Sequence, residues 1–313
     1  MNLAIGIDLG GTAIKCGLIN KDGDIIWNRT EPTEANQAAE RIFARIKSSI
    51  YEAIKHGKGK NANISGIGIG IPGIIEEGIL VGGANNLPGW GMVPIKAMLI
   101  KEFNRQVYVE NDANLMGLAE SRFGSAKDVK NVIFLTIGTG IGGAMILNGN
   151  VYGGYRNRGG EFGHIIIHKD GRQCSCGSKG CLEQYASTSA LISEYIELIE
   201  ADTIGPDIEI DGKYIVEKYL ENDMLAVEAM NYHFDNLAAG ISSLINIFAP
   251  ETVVVGGGIS EAGDFYIENI RQRVFRIAMQ ETSSHTSIKQ ASLGNNAGML
   301  GASIMVFDNF CES

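Results

Sequence analysis

Basic residues are in deficit in this chain of 313 residues. Lysine and arginine total 26 against 36 acidic residues, for a net charge of −10. That balance works against nonspecific binding of a polyanion, so no nucleic-acid partner is expected. Long apolar runs are also missing. The longest, Leu237 to Ala249, is broken by Gly240, Ser242, Ser243 and Asn246 and is too short to span a bilayer. The opening residues MNLAIGIDLGG show neither a basic leader nor a cleavage site. The expectation is a soluble cytoplasmic protein with no membrane partner. Cysteine does not come in pairs. There are five, of which Cys174, Cys176 and Cys181 crowd together while Cys16 and Cys311 stand apart. A disulfide framework is thereby disfavoured against a metal site in a reducing compartment, with the two outliers as core thiols. No Walker A loop occurs, and 45% hydrophobic with 20% charged residues is the composition of a globular protein and argues against disorder.

Proline is scarce (6) and glycine abundant (41), the glycines falling mostly at the ends of apolar β-branched runs. Leu3 to Leu9, Thr12 to Asn20 and Asp24 to Arg29 are expected to be strands. The spacing of Ala39, Ile42, Ile46, Ile50 and Ile54 predicts a helix over Glu34 to His56, stopped by Gly57. Strands follow at Ile64 to Ile71 and Val107 to Val109, then a helix from about Asp112 to Phe123. The pattern then begins again. Shifted by 128 positions, the N-terminal segment lies on VIFLTIGTGIGGAMILN, with Gly10 on Gly138, Asp8 on Thr136 and Asn20 on Asn148. Matched glycine and polar positions at a turn suggest two related halves. Further helices are expected from about Ser187 to Glu200, Leu225 to Phe248 and Ala297 to Phe307, with a strand from Glu251 to Val255. Strands alternating with helices imply an α/β class.

Two turns carry the first chemical signal. In Asp8-Leu9-Gly10-Gly11-Thr12 the glycines let backbone amides approach phosphate oxygens, Thr12 adds a hydroxyl, and Asp8 is placed to hold Mg²⁺ through water. An ordinary hairpin turn has the same local composition. The second turn, Thr136 to Gly143, matches G-x-G-x-x-G at Gly138, Gly140 and Gly143. A strand follows it where a dinucleotide site needs a helix, so that site is rejected. Two such turns, each with amides and a threonine (Thr12, Thr139), would grip a polyphosphate from both sides. Between them Glu110-Asn111-Asp112-Ala113-Asn114 follows a strand and opens a helix, where an aspartate could simply be an N-cap.

These paired turns, the acidic motif and the cysteine cluster resemble the ROK family, which comprises bacterial glucokinases, related sugar kinases and sugar-responsive repressors of the actin-like ATPase superfamily. The resemblance covers nearly the whole chain, with four motifs in the family's order. It implies a duplicated actin-like (ribonuclease H-like) α/β fold of two lobes with a central cleft. The expected smaller lobe is residues 1–112 plus 295–313, and the larger is 113–294 with the zinc loop. Asp112 would be the catalytic base, since a sugar hydroxyl attacks poorly until a carboxylate accepts its proton. Asn111 would bind the sugar, with Gly73 and Asn86 on sugar-side loops. His164, Cys174, Cys176 and Cys181 would form a closed, structural Zn²⁺ set. Glu161 and Glu183, with His164, would line the sugar pocket. ATP with Mg²⁺ would lie on Asp8, Gly10, Gly11, Thr12, Thr136, Gly138, Thr139 and Gly140, with Gly256, Gly257 and Gly258 against the adenosine. His168, His233 and His285 are expected to be ordinary core or surface histidines.

The expected activity is phosphorylation of glucose on its 6-hydroxyl by ATP, at the head of glycolysis. N-acetylmannosamine, N-acetylglucosamine, allose or a β-glucoside are alternative substrates, and a non-catalytic sugar sensor is the alternative class. The family's repressors carry a winged helix before the first glycine turn, and that turn begins here at residue 8, so a kinase is favoured. A homodimer or homotetramer is the family's habit. One departure concerns Ala13, where many relatives have lysine after the turn's threonine. Lys15, two positions on, is given no phosphate role.

Overall fold

The computed structural model describes residues 1–84, 87, 89–200 and 210–308. Asn86 and Cys311 lie outside the described residues. The chain opens with β1 (Asn2–Leu9), β2 (Ala13–Ile19), β3 (Ile25–Pro32), α1 (Ala39–Gly59) and β4 (Asn63–Ile71). A small hairpin, β5 (Ile74–Glu76) and β6 (Ile79–Gly82), precedes α2 (Ile95–Phe103), β7 (Val107–Asn111) and α3 (Asp112–Arg122). Next come β8 (Val132–Ile137), β9 (Ile141–Leu147) and β10 (Asn150–Val151), then α4 (Glu183–Ala186), α5 (Thr188–Glu200), α6 (Gly212–Leu220) and α7 (Met224–Phe248). The chain continues through β11 (Thr252–Gly256), α8 (Asp264–Ile277), α9 (Gln280–Ser283), β12 (Ser287–Gln290) and α10 (Ala297–Phe307).

Two five-stranded sheets share one topology. The first has the order β3-β2-β1-β4-β7, with β1 antiparallel to β2 and parallel to β4, and β4 parallel to β7. The second has the order β10-β9-β8-β11-β12, with β11 parallel to both β8 and β12. Each sheet is thus a hairpin closed by a glycine turn, extended by two parallel strands that need crossover connections. The 128-residue offset in the sequence corresponds to this repeat. The copies differ most at their hairpin edges, where β3 has eight residues and β10 two.

The chain divides into two compact units. One is Met1–Asp128 with Ala144–Gly160 and Leu293–Ser313; the other is Val129–Gly143 with Glu161–Ser292. In the first unit α1 turns Ile42, Phe43, Ile46, Ile50 and Ala53 into a core with Leu3, Ile5, Ile7 and Ile69. It begins at Ala39 rather than Glu34. Glu34 has a left-handed backbone (φ 52°), which a right-handed helix does not permit, and a turn closed by the Gln37 amide on its carbonyl precedes the helix. On the sheet's other side α10 packs with α3, burying Ala119, Met299 and Leu300 with Ile19. Glycines inside the strands, not only at their ends, make this possible. A Cβ on Gly6 would collide with the carbonyl of Met299, and one on Gly68 with that of Ala302. On the α1 side Cys16 is a buried thiol, donating to the Ser49 carbonyl.

Candidate active site

The first glycine turn is braced from one side. The Gly10 amide donates to Ala13 O at 2.9 Å, and Thr33 reaches back through its amide to Thr12 O (2.9 Å) and through its hydroxyl to Gly10 O (2.6 Å). Thr12 itself is exposed. Asp8, the last polar residue of β1, is only 3% exposed, and its Oδ1 has no hydrogen-bond partner among the described residues. Burial pushes the Asp8 carboxyl above its ordinary range, while the nearby Lys15 ammonium pulls it back. Lys15 Nζ lies 3.4 Å from Asp8 Oδ2 and 3.3 Å from Asn295 Oδ1. Gly298, at the start of α10, leaves no room for a Cβ against the same carboxylate. A buried carboxylate oxygen lacking a donor, beside a half-buried glycine turn that ends in the exposed Thr12, fits a divalent cation held through water. Sequence reasoning had not connected Lys15 with Asp8. Their cross-strand pairing in the β1–β2 register is the signal that could have done so.

The acidic motif sits where β7 passes into α3. Asn111, not Asp112, caps the helix: its backbone is extended (φ −63°, ψ 141°) and its Oδ1 accepts the Asn114 amide at 3.1 Å. Its Nδ2 donates to Gly73 O at 3.0 Å, which brings the loop after β4 to the motif. Asp112 is the first helical residue, and its Oδ1 accepts the Ala113 amide at 2.9 Å. A carboxylate at this position is favoured by the positive end of the helix dipole. Before it, Glu110 is buried, and its Oε1 accepts from the Asn111 amide and from Asn114 Nδ2. Gly73 has φ +109°, and a Cβ there would meet Gly82 O at 2.5 Å, so no other residue fits without strain.

In the second unit the glycine turn is closed differently. Gly138 donates to Gly140 O at 2.9 Å, Gly138 O accepts from the Thr188 amide at 2.8 Å, and the Ile141 amide donates to Glu183 Oε2 at 3.0 Å. One oxygen of Glu183 therefore braces the turn, and Gly140 must lack a Cβ to admit it. Glu161 is exposed and precedes a short 3₁₀ turn, Phe162–His164.

Four ligand atoms of His164, Cys174, Cys176 and Cys181 all lie within 4.8 Å of one another. His164 Nδ1 is 3.6 Å from Cys174 Sγ, and Cys176 Sγ is 3.6 Å from Cys181 Sγ. Zn–S bonds of about 2.3 Å in a tetrahedron imply edges of about 3.8 Å, so these two pairs already stand near the spacing zinc needs and the whole set, within 4.8 Å, could close on the ion with small movements. Burial pushes the Cys181 thiol up to about 12, which a bound divalent cation would reverse. Gly177 and Gly180 take left-handed backbone to close the loop (φ +91° and +78°). Arg172 fastens it to the helices, donating to Glu194 at 2.6 Å with its guanidinium 5.1 Å from the Tyr185 ring centre. His168 is a framework residue bonded to Asn236 at 2.7 Å, His233 is buried against Tyr266, and His285 is exposed.

A cavity of about 680 Å³ opens beside the second turn, touching Ile137, Gly138 and Thr139. Of the three consecutive glycines only Gly258 lines it. Gly256 ends β11, and Gly257 packs against the backbone of Ile137, where a Cβ would collide. Its remaining walls come from Thr188, Ser189 and Ile192 of α5, from Lys213, Val216 and Glu217 of α6, and from Glu261. None of these carried a motif in the sequence. The volume and the apolar walls suit a flat base with a few polar contacts.

The sequence profile described as the ROK family matches residues 4–309. A glucokinase of Thermotoga maritima is 33% identical, covering 96% of this chain and 96% of its own length. A Caldicellulosiruptor protein described as a candidate xylose repressor is 36% identical over 99% of this chain and 79% of its own. Among solved structures, a Streptomyces griseus ROK glucokinase in complex with glucose and AMPPNP superposes with a TM-score of 0.84 at 32% identity, covering 98% and 99% of the two chains. The chain belongs to the ROK family. Its duplicated α/β architecture is the actin-like ATPase fold, and its family holds both sugar kinases and repressors.

Proposed function

We propose that this protein is an ATP-dependent hexose kinase that transfers the γ-phosphoryl group of ATP to the 6-hydroxyl of glucose. The observation that carries this reading is the capping of α3 by Asn111. The aspartate beside it is not there to cap the helix, and a carboxylate held at a helix N-terminus suits a general base. Asp112 accepts the hydroxyl proton as the oxygen attacks the γ-phosphorus, whose bond to the bridging oxygen breaks to release ADP. Glu161 and Glu183 accept hydrogen bonds from other sugar hydroxyls, and Asn111 and Gly73 hold the sugar-side loop. The adenosine occupies the cavity beside Gly258, with Thr12, Thr139 and the turn amides on the phosphates. Asp8 would hold Mg²⁺, which neutralises phosphate charge when bound. His164, Cys174, Cys176 and Cys181 would hold zinc as a brace for the loop that ends at Glu183.

Likeness to the glucokinases of Thermotoga maritima and Streptomyces griseus supports glucose. The repressor-like relative favours a second reading, a sugar sensor without turnover. A coupled assay with ATP against glucose, mannose, allose, N-acetylglucosamine, N-acetylmannosamine and a β-glucoside separates them. Glucose should give the highest kcat/KM. An N-acetylhexosamine ahead by about tenfold, about 1.4 kcal/mol of transition-state preference, would overturn glucose and keep the kinase. Sugar binding without turnover of any of them would leave the sensor.

A further inference from the structure

Asn157 lies in a segment with two consecutive left-handed residues, Arg156 at φ 55° and itself at φ 58°. Asparagine tolerates this backbone better than most residues, but something must hold the segment in place. Arg156 and Arg158 both reach Glu76 on β5, yet their side chains are half exposed and such pairs hold little. The better shielded contacts are made by Asn157, itself half-buried. Its Nδ2 donates to Ile75 O at 3.1 Å and to Glu110 Oε1 at 2.8 Å. Gly153 lacks a side chain because a Cβ there would collide with Asn157 Oδ1.

Glu110 is 2% exposed, and the same Oε1 collects the Asn111 amide at 2.8 Å and Asn114 Nδ2 at 3.0 Å. One buried oxygen thus ties the end of β7, the first turn of α3 and a segment 47 residues further on. Asp112 stands between two of the tied residues. We infer that Asn157, acting through Glu110, is a positioning residue that fixes the direction of the Asp112 carboxylate. It does not touch the sugar. Misplacing a reacting group by a fraction of an ångström slows the chemical step while leaving substrate binding largely intact. A buried carboxylate that loses a donor repacks to recover one, and the nearest groups able to move are those around Asp112.

This inference rests on Asp112 being the base, and its test is built to separate the two. Asn157→Gly keeps the left-handed backbone and deletes the amide. It should lower kcat about tenfold, with KM for glucose and for ATP within about twofold. Hydrogen exchange at the Asn111 and Asn114 amides should quicken by about tenfold. Glu110→Gln, a weaker acceptor, should lower kcat similarly, and the double variant should be no worse than the more damaged single one. Asn157→Asp, which sets a second carboxylate against Glu110, should lose more than Asn157→Gly. An unchanged kcat in Asn157→Gly, or losses that add in the double variant, overturns the inference. If the parent protein phosphorylates no sugar, the kinase reading fails by itself. Exchange at Asn111 and Asn114 then decides, and unchanged protection in Asn157→Gly rejects the positioning role.

Discussion

Replacing Asp112 by asparagine isolates a charge from the fold around it. The helix keeps its cap, because Asn111 Oδ1 accepts the Asn114 amide. The new side chain can still accept the Ala113 amide through its Oδ1, as the carboxylate does at 2.9 Å. What disappears is a negative charge in the first turn of α3, worth about 0.3–1 kcal/mol against the helix dipole. For units of this size that corresponds to a fall in Tm of roughly 1–4 °C. The loss in turnover should be of another order. Removing a general base costs about 10²–10⁴ in kcat, or about 3–5 kcal/mol of transition-state stabilisation. Asn111→Ala should behave in the opposite sense, losing about 1 kcal/mol or more of stability with the cap and the Gly73 bond. The assay is a coupled measurement of kcat at saturating glucose and ATP, run beside thermal unfolding of both variants. If Asp112→Asn turns over within a few-fold of the parent, or melts as far below it as Asn111→Ala, the aspartate is a structural residue and the reasoning is refuted.

The cysteine cluster should carry about one zinc per chain, and Cys176→Ser should lose metal, stability and sugar binding together. Elemental analysis without zinc, with stability indifferent to chelator, would exclude it. Glu161→Ala should lower kcat/KM for glucose at least about tenfold while KM for ATP stays within about twofold; equal effects on both substrates would remove Glu161 from the sugar site. His233 gives a pH prediction. Burial depresses its imidazole to about 4, so the unfolded chain binds the extra proton as pH falls below about 6.5. Stability should therefore be full above 6.5 and decline toward pH 4 by up to about 3 kcal/mol. In His233→Gln, which can still meet the Tyr266 hydroxyl, denaturant titrations over that window should show a shallower slope. An identical slope would place the acid sensitivity elsewhere.

The repeat was legible because a glycine turn and its flanking apolar runs are local features, and a 128-residue shift superposes them. The cysteine spacing announced its cluster for the same reason, although His164 entered only through family likeness. The choice between Asn111 and Asp112 as cap was not legible. Both residue types cap helices well, and only the backbone break at residue 111 decides. The walls contributed by α5 and α6 were hidden because Val216 or Ile192 in an amphipathic helix looks the same facing a core or a cavity. Glu183 bracing Ile141 joins residues 42 apart, and Lys15 beside Asn295 joins residues 280 apart. No local pattern encodes such pairs. The glycines within β1 and β4 were visible as letters, but their purpose lies in a helix more than 230 residues later.

That last distance bears on synthesis. β1 and β4 leave the ribosome early, yet the backbone carbonyls that Gly6 and Gly68 make room for, those of Met299 and Ala302, follow them only 293 and 234 residues later. For most of translation this face of the first sheet has α3 but not α10 upon it, leaving backbone and aliphatic side chain exposed, the kind of surface that holdase chaperones bind and unpaired strands aggregate through. A nascent chain stalled before residue 297 should stay open to protease across its first seventy residues. The step that ends this exposure is the docking of one eleven-residue helix, α10, so the vulnerable interval is set by elongation rate over the second unit rather than by how fast the first sheet can pair.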